Sequence, residues 1–479
     1  MPSSVPFKPA EAWRPADVQW NSKWAAHLYR RAAFGFPPRS FPTGDQPHGS
    51  VDGKFTPWRA LQQAVGRDRD ECVDELLSGG EGQGPFNQLL DSTGEQIARI
   101  KVSAFQTPQT EKLQGWWLAR MLYTPHPLLE RVTLFWHDHF ATSLAKVTNW
   151  EMMFRQHQLL RRHALGKFPS MLAGISRDPA MLFYLDSNSN IKGRPNENFA
   201  REIMELFSLG VGNYTEKDIR EAARAFTGWG TADGEFLFNA ALHDGGEKTV
   251  LGKTGPLDGD DIVGIILKQP AVARFLVAKL YREFVSEVEP PPPELLEPLA
   301  ESFRQSGYDI KACLRTIFRS RIFNSDYAYR SRIKSPVEYA VGLTTALEAQ
   351  ISPEQLAKAM EGLGQALFAP PNVAGWDGGE AWLNSVTLLA RHNLAAKLLG
   401  GKDNSFRKID PAKLAEQYAG KEPAKQAEFF MALFLENNLA DEARRRLLEF
   451  AAADKPKDQN RRMREVAHTI VLLPEYQLA

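Results

Sequence analysis

Apolar residues recur along most of this chain at the three- and four-residue steps of amphipathic helices, and strict alternation is confined to two short runs. The clearest helical pattern follows Pro195. Stepping 100° per residue places Glu197, Asn198, Arg201, Glu202 and Glu205 on one arc, with Phe199, Ile203, Met204, Leu206 and Phe207 on the other. Proline and Asn196 mark the start of this helix, and Gly210 and Gly212 stop it. Thr215 then opens a second helix that runs towards Gly228 and Trp229, with Asp218 in the capping-box position.

The same period predicts helices over residues 25–34, 59–63, 69–77, 113–122, 128–140, 151–165, 169–176, 260–268, 271–286, 294–305, 310–319, 336–349 and 353–363, and another from Leu383. Residues 36–58 read as a Pro/Gly-rich loop. The glycine-rich stretch 79–84 lacks the Lys-Ser/Thr of a phosphate loop and reads as a connection. Strand signals occur only at Phe236-Leu237-Phe238 and Thr249-Val250-Leu251, which read as one hairpin around the intervening loop. The expected fold is therefore mainly α, a multi-helical bundle with one small β-hairpin excursion. Its expected organisation is an N-terminal arm (1–23), a helical core carrying the polar stretches (24–289), a C-terminal part of the same domain beyond a proline spacer (290–400), and charged helices (401–479).

Charge narrows the function class. Lys plus Arg and Asp plus Glu both number 58, giving a formal net charge of zero, so no global basic field draws in nucleic acid or anionic lipid. Cys72 and Cys313 lie in no CxxC pair and cannot form a disulfide framework; both read as small buried residues. The first residues lack the pattern of a signal peptide, and no apolar run reaches 18 residues. A cytoplasmic location without a membrane span is the expectation.

Several polar groups carry candidate chemistry. His137 and His139 lie two apart on a helix, so they point about 200° apart and do not share a metal ion unless the helix ends before them. Each is either a hydrogen-bonded core histidine or an acid, base or ligand. His243-Asp244 lies in a glycine-flanked loop with Lys248 nearby. Glu202 and Glu205 stand three apart and both reach one side of their helix, but neither is followed by the histidine of a di-metal bundle motif. Against these readings stands a solvated face, on which Glu197–Arg201 and Arg201–Glu205 are ordinary i,i+4 pairs. Trp376, after Pro370-Pro371 and Gly375, either plugs a loop or lines a pocket. No HExxH, GxSxG or Walker loop is present.

Taken together, Phe135-Trp136-His137-Asp138-His139-Phe140, Pro195-Asn196-Glu197-Asn198-Phe199-Ala200-Arg201-Glu202, Glu205-Leu206-Phe207-Ser208-Leu209-Gly210-Val211, Ala222-Ala223-Arg224-Ala225-Phe226-Thr227-Gly228-Trp229, His243-Asp244 with Lys248, and Pro370-Pro371-Asn372-Val373-Ala374-Gly375-Trp376 resemble the signature blocks of a large bacterial family, catalogued as domain of unknown function 1800. The resemblance spans roughly residues 24–392. It implies that the polar blocks converge on one cleft. On that expectation the chain is a hydrolase-type enzyme, with His137, His139, Glu202, Glu205, His243 and Asp244 available for catalysis. Asn196, Glu197, Asn198, Arg201, Lys248 and Trp376 would then bind a small or polymeric anionic substrate. One divalent metal ion would have its ligands among His137, His139, Glu202 and His243. The rival expectation is a non-enzymatic helical module whose polar blocks form a buried network and whose outer face binds a protein partner.

Overall fold

Local punctuation explains most of the helix boundaries in the structure, a computed structural model that describes residues 5–36, 56–79, 84–99, 108–349, 351–400, 410–453 and 459–479. Most of the predicted 36–58 loop and residues 80–83 of the glycine-rich connection lie outside the described residues. Side-chain caps hold helix starts at Asn149, Asp178 and Asp309, and full capping boxes form at Thr215–Asp218 and Ser335–Glu338. The described residues form 25 α-helices, and the fold is mainly α.

The helix after Pro195 is shorter than its pattern suggests, spanning Asn198–Glu205. Asn196 shapes the turn before it, accepting the Asn198 amide on Oδ1 at 2.9 Å. The far end tightens because Leu206 and Phe207 both donate their amides to the Glu202 carbonyl. Gly210 and Gly212 then turn the chain at φ of +79° and +87°, which glycine adopts without strain. This carboxylate helix buries Phe199, Ala200, Ile203 and Met204 and packs on the Glu216–Ala225 helix.

The expected single hairpin is two. β1 (Trp229–Ala232) pairs antiparallel with β2 (Glu235–Phe238), and β3 (Lys248–Val250) with β4 (Lys253–Gly255). The turns decide this. Asp233-Gly234 and Leu251-Gly252 both place two successive residues at positive φ, the backbone of a two-residue hairpin turn. Asp-Gly is a strong hairpin signal, and it ties the Phe236 run to the Trp229 run beside it rather than to the distant Thr249 run.

The Pro85–Arg99 helix has no counterpart in the hydrophobic pattern. Gly94 interrupts its periodicity, yet a Cβ there would lie 2.5 Å from Phe154 and 2.7 Å from Trp116. The glycine therefore serves close packing, not a break. The central Pro127–His139 helix, which carries both histidines, is buried on nearly all sides and packs against the Trp150–His163 helix. One hydrophobic cluster reaches from Ala12 to Tyr476 and includes both free cysteines. Even the N-terminal segment joins it: Trp13 Nε1 donates to the Leu295 carbonyl at 2.6 Å. No described helix is long and apolar enough to cross a membrane.

Candidate functional site

The polar blocks sort into three groups. In the first, Arg201 forks onto Glu216 (2.9 and 2.8 Å) and reaches Glu197 at 3.1 Å, joining the carboxylate helix to its neighbour at the surface. Glu205 accepts from the Tyr214 hydroxyl. Burial and the adjacent Glu205 charge push the Glu202 carboxyl upward. Asn198, at the first turn of this helix, is exposed.

In the second group, the loop before the carboxylate helix is knitted to residues 223–248. Asn190 donates its side chain to the Ala223 carbonyl (2.9 Å), accepts the Asn196 amide (2.9 Å) and accepts the Gly228 amide on its own carbonyl (3.0 Å). Asn196 also donates to Ser189 Oγ at 2.7 Å. Gly228 is required by close approach, since a Cβ there would lie 2.5 Å from the Asn239 carbonyl oxygen. Asp244 accepts from Arg224 Nε at 2.8 Å, and that guanidinium holds its carboxyl down to about 2. Lys248 is buried, with its ammonium donating to the Gly246 and Leu257 carbonyls at 2.9 Å each. His243 Nδ1 lies 2.9 Å from the Thr227 carbonyl, which only accepts, so Nδ1 carries a proton.

The third group lies at the end of the histidine helix. His137 Nε2 accepts the Phe368 amide at 3.1 Å, its ring lies among Trp117, Phe368 and Trp376, and burial pushes its pKa down to about 3. It is a neutral core histidine whose acceptor nitrogen is already engaged. His139 differs. Its Nε2 donates to the Phe207 carbonyl at 3.1 Å, and its Nδ1 is buried without a hydrogen-bond partner among the described residues.

His139 lines a cavity of about 160 Å³ together with Asp138, Lys279, Arg282, Trp376 and Trp382. Asp138 Oδ1 accepts the Trp376 amide at 2.7 Å, which fastens the 370–379 loop as one wall. Burial raises the Asp138 carboxyl to about 6. It also lowers the Lys279 ammonium to about 8, although Asp138 draws that value back up. Lys279 makes no hydrogen bond or ion pair with a described residue; it lies over the Phe275 ring at 5.1 Å. Beneath the cavity Arg131 and Arg332 are already engaged with Glu283 and Glu338.

Of the residues expected to converge, His139 and Trp376 line this cavity; Glu197, Arg201, Glu202, Glu205, His243, Asp244 and Lys248 do not. The reason is pairing close in the chain: all of these but Glu202 have partners between residues 197 and 257. Nor do His137, His139, Glu202 and His243 gather as metal ligands, and among the described residues no three His, Cys, Asp or Glu side chains are placed to hold a metal ion. Three cavity residues escaped the sequence reading. Asp138 sat inside a quoted block, overshadowed by the histidines flanking it. Lys279 and Arg282 belong to an ordinary amphipathic helix, Pro270–Phe284, and carry no motif.

A family model described as "Protein of unknown function (DUF1800)" matches residues 27–478. The chain belongs to this family. The DUF1800 match extends beyond the blocks visible in the sequence, so it takes in all three polar groups, the cavity and the C-terminal helices. No curated protein and no solved structure matches the chain.

Proposed function

We propose that this DUF1800 protein is an enzyme whose reaction centre is the cavity of Asp138, His139 and Lys279, and that it carries out hydrolase-type acid–base chemistry on a small anionic substrate. One observation carries the reading. The cavity wall holds an imidazole nitrogen, His139 Nδ1, that is buried without a hydrogen-bond partner among the described residues, and beside it the half-buried Lys279 ammonium. Folded proteins satisfy buried polar groups almost everywhere, so an open nitrogen next to an ammonium in one cavity points to a ligand.

The division of labour follows from the electrostatics. Lys279 holds the substrate's anionic group from inside, and Arg282, fixed by its 3.0 Å bond to the Asp377 carbonyl, does so from the rim. Asp138 ionises near neutral pH, which suits it to take a proton from water or from a substrate hydroxyl. Neutral His139 accepts a hydrogen bond on Nδ1 and orients the bound molecule. Trp376 and Trp382 supply apolar walls that limit water. The alternative, a non-enzymatic helical module, draws support from the first two polar groups, which act as clips between segments.

A thermal-shift screen of small carboxylates on the wild type, Lys279→Met and Asp138→Asn, each in an Arg177→Ala background, tests the proposal. Both variants should fold, and both should lose the shift given by any carboxylate that stabilises the Arg177→Ala protein. A carboxylate that stabilises all three proteins equally would place binding elsewhere and refute the assignment.

A further inference from the structure

A second concavity, of about 310 Å³, lies between the Trp150–His163 helix and the turn after the Phe168–Ser176 helix. Arg155, Arg162 and Arg177 line it. Arg155 and Arg162 are two helical turns apart and share one face. Three guanidinium groups around one concavity repel each other, and the carboxylates that pair with Arg155 and Arg177 stand outside it. Glu151 and Glu235 hold Arg155, and Asp260 holds Arg177, but none of these acids lines the cavity. Such exposed pairs are weak, so an entering anion can displace them.

The groove is also shaped for its ligand. Arg177 lies over the Trp229 and Phe236 rings at 5.3 and 5.6 Å, which fixes the plane of its fork. Its Nε and Nη1 have no protein partner among the described residues. Leu159 and Pro179 provide the apolar part of the lining. The only acid in the lining is Asp178, which accepts from Gln156 Nε2 (2.8 Å) and the Met181 amide (2.9 Å) on one oxygen. Burial raises its carboxyl to about 7, so it is able to carry a proton and donate to an anion at neutral pH.

From this geometry we infer that the arginine groove binds the tetrahedral oxyanion, phosphate or sulfate, of a small ligand. The planar guanidinium forks match two oxygens of such a group at once. This site is separate from the Lys279 cavity and does not depend on the function proposed for it.

Isothermal titration with inorganic phosphate, and in parallel with sulfate, tests the inference. Saturable binding is expected, weakened by high salt and reduced about tenfold or more in Arg162→Ala and in Arg177→Ala. Glu235→Gln, which removes a competing carboxylate but keeps every arginine, should tighten it. Lys279→Met should leave it unchanged. Tighter binding of phosphate than of sulfate would assign the groove to phosphorylated ligands, and the reverse order to sulfated ones. No saturable binding of either anion at millimolar concentration, or binding lost in Lys279→Met and kept in Arg177→Ala, would overturn the assignment.

Discussion

His137 and His139 are both buried and two residues apart, yet the acceptor nitrogen is engaged in one and open in the other. The difference is which backbone group each ring meets: an amide N–H of Phe368 engages His137, and a carbonyl of Phe207 engages His139. Sequence showed that the two rings diverge, but not that the residue between them would be the titrating one. Burial raises the Asp138 carboxyl, and Gly375 lets the 370–379 loop pack directly against it. A Cβ at Gly375 would lie 2.3 Å from Asp138 Oδ1 and 2.6 Å from its carbonyl oxygen, and the residue sits at φ +87°. Gly375→Ala must therefore push the loop off the histidine helix and lose the Trp376 amide bond. The expected cost is about 1–3 kcal/mol in a denaturant melt, with the Asp138 titration shifted. A variant as stable as the wild type would show that the loop is not latched at this point.

At the scale of elements, helices with proline or capping boxes at their start were legible because their signals are local. The Ser335 start is one of these, and it also anchors a non-local device. Glu338, at the third position of that helix, is shared by Arg131 of the histidine helix (2.8 Å) and Arg332 of the preceding loop (3.2 Å). Arg131 and Arg332 both extend to Glu283 on the Pro270–Phe284 helix. The pattern along the chain gave no hint of this, because the four residues come from four separate segments. Burial opposes ionisation of Glu338, but the two guanidinium groups more than reverse it and hold the carboxyl at about 2. A depressed folded-state value means stability that is complete above the ordinary carboxylate range and lost as pH falls through about 2. Glu338→Gln removes one partner and leaves buried cations uncompensated, so it should cost about 3–5 kcal/mol at neutral pH. Urea melts at pH 7 check this; a loss below 1 kcal/mol would mean the arginines find other acceptors.

Across the whole molecule, the polar blocks suggested one cleft because they are dense in sequence, whereas the structure uses most of them as fasteners and builds the cavity from two blocks, through Asp138, His139 and Trp376, together with Lys279 and Arg282, which carry no motif. The boundary expected at residue 401 carries a prediction of its own. The helices of 410–453 and 459–479 are bound to the body by buried cations that it supplies. Arg30 pairs with Glu436 at 2.5 Å, and Arg330 donates to the Leu435 and Asn438 carbonyls. Lys334 reaches the Tyr476 carbonyl at 2.7 Å, and Arg391 reaches Gln477 at 3.0 Å. The backbone adds an Ile333–Leu478 bridge, beside the Arg332 that supports the cavity floor. Unfolding these helices alone would strand several charged groups in an apolar interior, each costly to leave unpaired. They should therefore melt with the rest of the chain. Calorimetry is expected to show one transition, and Arg391→Met should lower its midpoint without splitting it. Hydrogen exchange that opens 410–479 well before the histidine helix would instead make the C-terminal helices a separate folding unit.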